Sequence, residues 1–195
     1  MPSPFRSLKK RVVGWKQAKA PTVHDGNSGV EEEPSAIELA KDFFAATNRH
    51  ANGEIKNLCA STFVVKFVSS HDEMLIDDYL ETMQGLVESF PDFRLDHAEY
   101  MEEKKLETDG PSDPPTTVVT ITDIRASGTH TGKPFAFGPY PAIPASNIAV
   151  RDHAPCTDEM HIREGKIVKL LVKTQGAEDA SGPGYFYNQI GGLLF

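Results

Sequence analysis

Helical periodicity stops at Pro91 in this chain, and every patterned stretch after it reads as strand. Helices first and strands afterwards make an α+β domain, with helices packed on one face of a curved antiparallel sheet. Order begins at Ser35, which forms a capping-box spacing with Glu38. Ile37, Ala40, Phe43, Phe44 and Thr47 then recur as one face of a helix of about 14 residues. Asn52 and Gly53 supply a left-handed stop for it. A short helix over residues 54–60 and a strand over 63–68 follow. Ser70 and Glu73 repeat the capping-box spacing, and Leu75, Tyr79, Met83, Leu86 and Phe90 form a long helical stripe that Pro91 ends. Strands are expected over 93–101, 117–127, 147–152, 157–163 and 166–173. Pro155 belongs at a break because it cannot donate to a ladder. A Gly- and Ser-rich stretch over 176–184 leads to an apolar tail over 185–195.

The chain has 195 residues, 39% hydrophobic and 25% charged, which suits one globular domain with length to spare. That spare length is residues 1–34, expected to be a basic arm and acidic linker outside the domain at 35–195. Residues 1–20 carry Arg6, Lys9, Lys10, Arg11, Lys16 and Lys19 and no acid. Such a segment suits a solvated arm, an organelle-targeting remnant, or contact with an anionic surface or protein. It lacks the apolar core of a secretory signal, so the expected location is the cytoplasm or an organelle lumen. The formal net charge of -8 argues against nucleic acid as a partner. No apolar run reaches the roughly 18 residues that a membrane span requires. Cys59 and Cys156 make neither a disulfide framework nor a zinc pattern.

The chemistry concentrates in residues 156–174, two strands joined at Glu164 and Gly165. The period of two puts Asp158 on one face with Cys156, Met160 and Ile162. A carboxyl among such neighbours has its pKa raised by desolvation, which suits a proton carrier near neutral pH. The other reading is a core acid held by internal hydrogen bonds. His97 falls on the face of Phe93 and Leu95, as a second base, a donor to a substrate carbonyl, or a satisfied core histidine. His130, between Gly128 and Gly132, has the same alternatives. Asp152, His153, Cys156, Asp158 and His161 offer metal-ligand types within ten residues, but strand alternation splits them between two faces, so no metal and no cofactor are expected. The stretch over 135–144 holds Phe135, Phe137 and Tyr140 among prolines and can serve as a pocket lid or fixed wall, a dimer contact or a plug.

Three segments taken together carry a resemblance: Phe90-Pro91-Asp92-Phe93-Arg94-Leu95, then Gly128-Thr129-His130-Thr131-Gly132, then Gly165-Lys166-Ile167-Val168. With the ending Tyr187-Asn188-Gln189-Ile190-Gly191-Gly192-Leu193-Leu194, they resemble the SnoaL-like polyketide cyclases of the NTF2-like superfamily. The resemblance covers 35–195. It implies a cone of curved antiparallel sheet wrapped by about three N-terminal helices, an apolar pocket, and a homodimer packed through the sheet. It also implies intramolecular aldol chemistry without metal or cofactor, with an Asp as general acid/base seven residues before the Gly of the last hairpin. Counting back from Gly165 gives Asp158. The Gly-Arg that usually follows the Thr-Gly pair is missing here. The neighbourhood Val65-Lys66-Phe67-Val68 lacks the acid that a ketosteroid isomerase would place there.

Two functions follow as expectations. The first is a cofactor-free cyclase, isomerase or dehydratase acting on a small apolar carbonyl compound, with Asp158 as acid/base and His97 or His130 polarising the carbonyl. The second is a non-catalytic module that binds a hydrophobic ligand or supports protein association, with the basic arm docking a partner.

Overall fold

The computed structural model describes residues 34–68, 73–97, 99–106, 114–174 and 182–192. The arm expected over residues 1–34 lies almost wholly outside them. Among the described residues, no helix is long and apolar enough to cross a membrane.

The first helix, α1 (Ala36–Asn48), starts on the expected capping box. Ser35 Oγ accepts from the Glu38 amide, and the Ser35 amide donates back to Glu38 Oε2 at 2.8 Å. It ends earlier than the Asn52–Gly53 signal suggested. His50 takes the left-handed conformation (φ 58), and Gly53 falls inside the next helix, α2 (Asn52–Leu58). The strand β1 (Cys59–Phe67) leads to a three-residue strand, β2 (Glu73–Leu75), and then α3 (Ile76–Ser89). Glu73 therefore does not complete a capping box. It pairs with Lys66 across β1 and β2, and α3 begins without a side-chain cap, with Asp77 and Asp78 facing its positive end.

The stretch expected as one strand over 93–101 is two: β3 (Arg94–Asp96) and β4 (Glu99–Leu106). The cause lies in the long strand β5 (Thr116–Thr129), against which both pair. Asp123 in β5 has φ 53, and the register with the neighbouring strand shifts between Ile121 and Ile124. Such a bulge bends a strand. The chain that follows it leaves β3 at Asp96 and resumes at Glu99 on the other side of the bend. The second half of β5 also carries β6 (Ala149–Arg151), while its first half pairs with β7 (Cys156–Arg163). Pro155 sits between β6 and β7, outside both ladders.

A two-residue turn at Glu164 and Gly165 (φ 50 and 66) joins β7 to β8 (Lys166–Thr174). Both positive angles match the hairpin turn that follows the sheet's own twist. The sheet order is β2-β1-β8-β7-β5-β3, and β1 runs parallel to β8. The sheet is thus mixed, where antiparallel pairing throughout was expected. A fourth helix, α4 (Gly182–Gln189), forms where the sequence showed only an apolar tail.

Two aromatic clusters build the core. Phe43, Phe63 and Tyr79 pack together with ring centroids 6.2–6.3 Å apart. Phe90 packs edge-on to Phe135 and Phe186, each at 5.2 Å.

Candidate active site

A cavity of about 130 Å3 opens between these clusters, touched by Tyr79 of the first, by Phe186 of the second and by Phe93, which packs on Phe186. On the same scale, one water needs roughly 10–15 Å3, so the space suits a small organic molecule. The strand β7 alternates buried and half-buried residues along its whole length, which turns Cys156, Asp158, Met160 and Ile162 inward. Of these, Cys156 and Asp158 reach the cavity. Asp158 sits between Ile121 of β5 and Val172 of β8 in the ladder and is 6% exposed. Its Oδ1 is sealed from solvent and has no hydrogen-bond partner among the described residues. Burial alone pushes its pKa from 3.8 up to about 7. A buried polar group is nearly always bonded, so an exception on a cavity wall asks for a reason.

No family model and no curated protein matches the chain in sequence. Solved structures match it in three dimensions. AclR from Streptomyces galilaeus, provisionally assigned as a hydroxylase, superposes with a TM-score of 0.52 at 20% identity, over 70% of this chain and 73% of that one. A protein from Jannaschia sp. CCS1, provisionally assigned as a SnoaL-like polyketide cyclase, gives 0.51 at 17%, over 78% and 92%. IdmH from Streptomyces antibioticus, provisionally assigned as a polyketide cyclase, gives 0.52 at 14%, over 71% and 91%. The chain has the NTF2-like cone fold of the SnoaL-like polyketide cyclases. At these identities the likeness concerns fold.

The cone does not bring the two expected histidines to Asp158. His97 follows the last residue of β3 and is exposed, with its ring 5.4 Å from Phe44 and 5.0 Å from Tyr100. The expectation that it shares a face with Phe93 and Leu95 assumed a continuous strand, and the bend in β5 removes that premise. His130 is fully buried but does not line the cavity. Its Nδ1 lies 3.2 Å from the Ser146 hydroxyl and its Nε2 3.3 Å from the Lys133 carbonyl oxygen. A carbonyl only accepts, so Nε2 carries the proton in that contact. His130 also packs 5.1 Å from Phe90. It holds the loop after β5 in place.

That loop is neither lid nor plug for the cavity. Phe137 and Tyr140 pack at a tilt on Tyr187 of α4, at 6.3 and 5.8 Å, and the Tyr187 hydroxyl donates to the Pro141 carbonyl at 2.7 Å. The loop buttresses α4, and α4 in turn walls the cone through Gly182, Pro183 and Phe186. Among the described residues, no three His, Cys, Asp or Glu side chains converge as a metal site. His161 alternates to the half-buried face of β7, away from Asp158.

Two cavity residues have roles that the sequence reading did not give them, Asp152 having been weighed there only as a metal-ligand type. Asp152 is 5% exposed, and its carboxylate accepts from the Ala126 amide at 2.7 Å and the Gly182 amide at 2.9 Å. It is a staple that fixes the start of α4 to β5. Tyr79 was visible only as one step of a helical stripe. The signal available was its hydroxyl, a polar tip in an otherwise apolar run, which needs a partner when buried. Burial chiefly, and then the nearby Asp158 charge, push its phenol well above the usual range, so it stays protonated.

Proposed function

We propose that the protein moves a proton on a small neutral carbonyl compound inside the cone, as a cofactor-free cyclase, isomerase or dehydratase with Asp158 as general acid/base. The observation that carries this reading is the Asp158 carboxyl: on the cavity wall, sealed, unbonded at Oδ1, and poised near pH 7. A base that titrates near the working pH combines a populated ionised form with a useful proton affinity. The ionised carboxylate takes a proton from the carbon beside the carbonyl. The electrons move to oxygen as an enolate, and the protonated Asp158 later returns its proton to carbon or to a leaving hydroxyl.

The developing oxygen charge needs a neutral donor in place of His97 or His130. Tyr79 lines the same cavity and keeps its proton, so it is our choice for that role. The names of the fold's neighbours are compatible with carbonyl chemistry and support it no further. The non-catalytic reading required a cone filled by side chains, or an Asp158 locked by internal hydrogen bonds. The cavity and the unbonded oxygen favour the catalytic one.

The test does not need the physiological substrate. Small cyclic ketones and diketones are incubated with the protein in D2O, and deuterium entry beside the carbonyl is followed by NMR. Exchange should rise with pH through about 7. It should fall by about 10²-fold or more in Asp158→Asn, the usual weight of a general base. Unchanged exchange in that variant would remove the role from Asp158.

A further inference from the structure

The cone is lopsided in charge. Among the described residues, two carboxyl groups, Asp152 and Asp158, border the cavity, and no Lys, Arg or His does. Asp152 spends both oxygens on backbone amides, and Arg125 Nη1 donates to its main-chain oxygen at 3.2 Å. Asp158 has no such compensation, and its Oδ1 is left unbonded. The remaining wall is mainly aliphatic and includes the rings of Phe67, Tyr79, Phe93 and Phe186. Aromatic faces carry negative charge density and attract a desolvated cation. An anionic ligand would meet two carboxyl groups and no counter-charge among the described residues, whereas a cation would meet its partner and four aromatic rings in an apolar wall.

We propose that this cavity is a binding site for small lipophilic ammonium ions, held by an ion pair to the Asp158 carboxylate. The ligand is a primary amine on one ring. The volume of about 130 Å3 is close to engineered apolar cavities of about 150 Å3 that take one benzene ring. The inference shares Asp158 with the proposed chemistry but does not depend on turnover, because binding alone reports it.

Protons set its pH dependence. Among the described residues, the titratable groups that share the cavity wall with Asp158 are Tyr79 from α3, Cys156 two residues away on β7, and Asp152 before that strand. The flanking strands offer Ile121 and Val172. Above about pH 7 the carboxylate is ionised and the ammonium enters without net proton exchange. Below that, each bound ammonium must displace the Asp158 proton into solvent. Affinity then falls up to tenfold per pH unit.

The experiment is calorimetry of the full chain with benzylamine, benzyl alcohol and benzoate, at about pH 8.5 and about pH 6, on either side of the expected titration. Benzylamine is expected to bind at least tenfold more tightly than benzyl alcohol at the higher pH, with benzoate silent. At the lower pH its affinity drops and close to one proton is released per ligand. In Asp158→Asn the preference for amine over alcohol disappears. Equal affinity for amine and alcohol in the unaltered protein, or no binding of either at millimolar concentration, would overturn the proposal without reference to any variant. So would an amine preference that survives in Asp158→Asn, since the ligand would then sit elsewhere. Deuterium exchange without amine selectivity defeats this inference and spares the acid/base reading. Amine selectivity without exchange does the reverse.

Discussion

Taking a carboxyl group out of water without a hydrogen bond costs several kcal/mol if it is charged, so the group keeps its proton instead. Asp158 does this, and the consequence is measurable in the stability of the protein. Its folded-state pKa of about 7 lies above its ordinary 3.8, so the folded chain holds the proton more tightly than the unfolded chain. The stability this contributes is full below about pH 4 and is lost as pH rises through 7, by about 3 kcal/mol between pH 5 and pH 8. Urea unfolding at the two pH values should show that loss in the unaltered protein. Asp158→Asn should remove this component and be the more stable protein at pH 8. A variant with the same pH slope would mean that another group titrates. Asp152 shifts in the same direction through burial, so only the difference between the two proteins isolates Asp158. Tyr79 makes a complementary prediction. Tyr79→Phe keeps the ring that packs on Phe43 and Phe63 and removes only the hydroxyl. Deuterium exchange should slow by about 10²-fold, as for loss of one donor to a developing oxyanion. Its rising pH limb should stay near 7, because that limb belongs to Asp158.

Among the elements, the first two segments that carried the resemblance hold one another. Asp92 accepts from both the amide and the hydroxyl of Thr129, at 2.5 and 2.7 Å. The amides of Gly132 and Lys133 donate to the Ser89 and Glu88 carbonyls, at 3.0 and 2.8 Å, and so satisfy the end of α3. That contact explains one glycine outright: a Cβ on Gly132 would lie 1.9 Å from the Glu88 carbonyl oxygen. Gly132→Ala should therefore cost about 1–3 kcal/mol of stability, the usual size for overpacking. Urea denaturation measures it, and a cost under about 0.5 kcal/mol, typical of an unconstrained surface site, would contradict the docking. The contacts of Asp92, Thr129 and Gly132 are architectural. They position the wall that α3 and α4 make around the cavity, and none of these residues needs to touch a substrate for them to matter. The element most misread from sequence was the stretch over 93–101. Its alternation was sound on each side of His97, but β5 bends opposite it at Asp123, and nothing local to His97 announces that bend.

At the scale of the molecule, the cone closes on itself from Ser35, which caps α1 with its own side chain. A chain beginning at Pro34 should keep the melting temperature of the full protein within about 2 °C, a shift below that of a 1 kcal/mol change in a domain this size. A larger fall would show that residues 1–33 contribute to the fold. The cavity is likewise a property of the whole. It takes walls from α3, from both ends of the sheet and from α4, which no single stretch of sequence brings together. Periodicity, capping and the hairpin turn act over a few residues, and so the order of helices and strands, the start of α1, the turn at Glu164 and Gly165 and the inward face of Asp158 were all written locally. The mixed sheet, the parallel pairing of β1 with β8, the exposure of His97 and the bonded interior of His130 depend on partners tens of residues away. The same holds for the one property on which function turns. A sequence can place an acid on an inner face, but whether a donor meets it there is decided by what the rest of the chain packs against it. Around Asp158 the chain packed apolar side chains and left an opening.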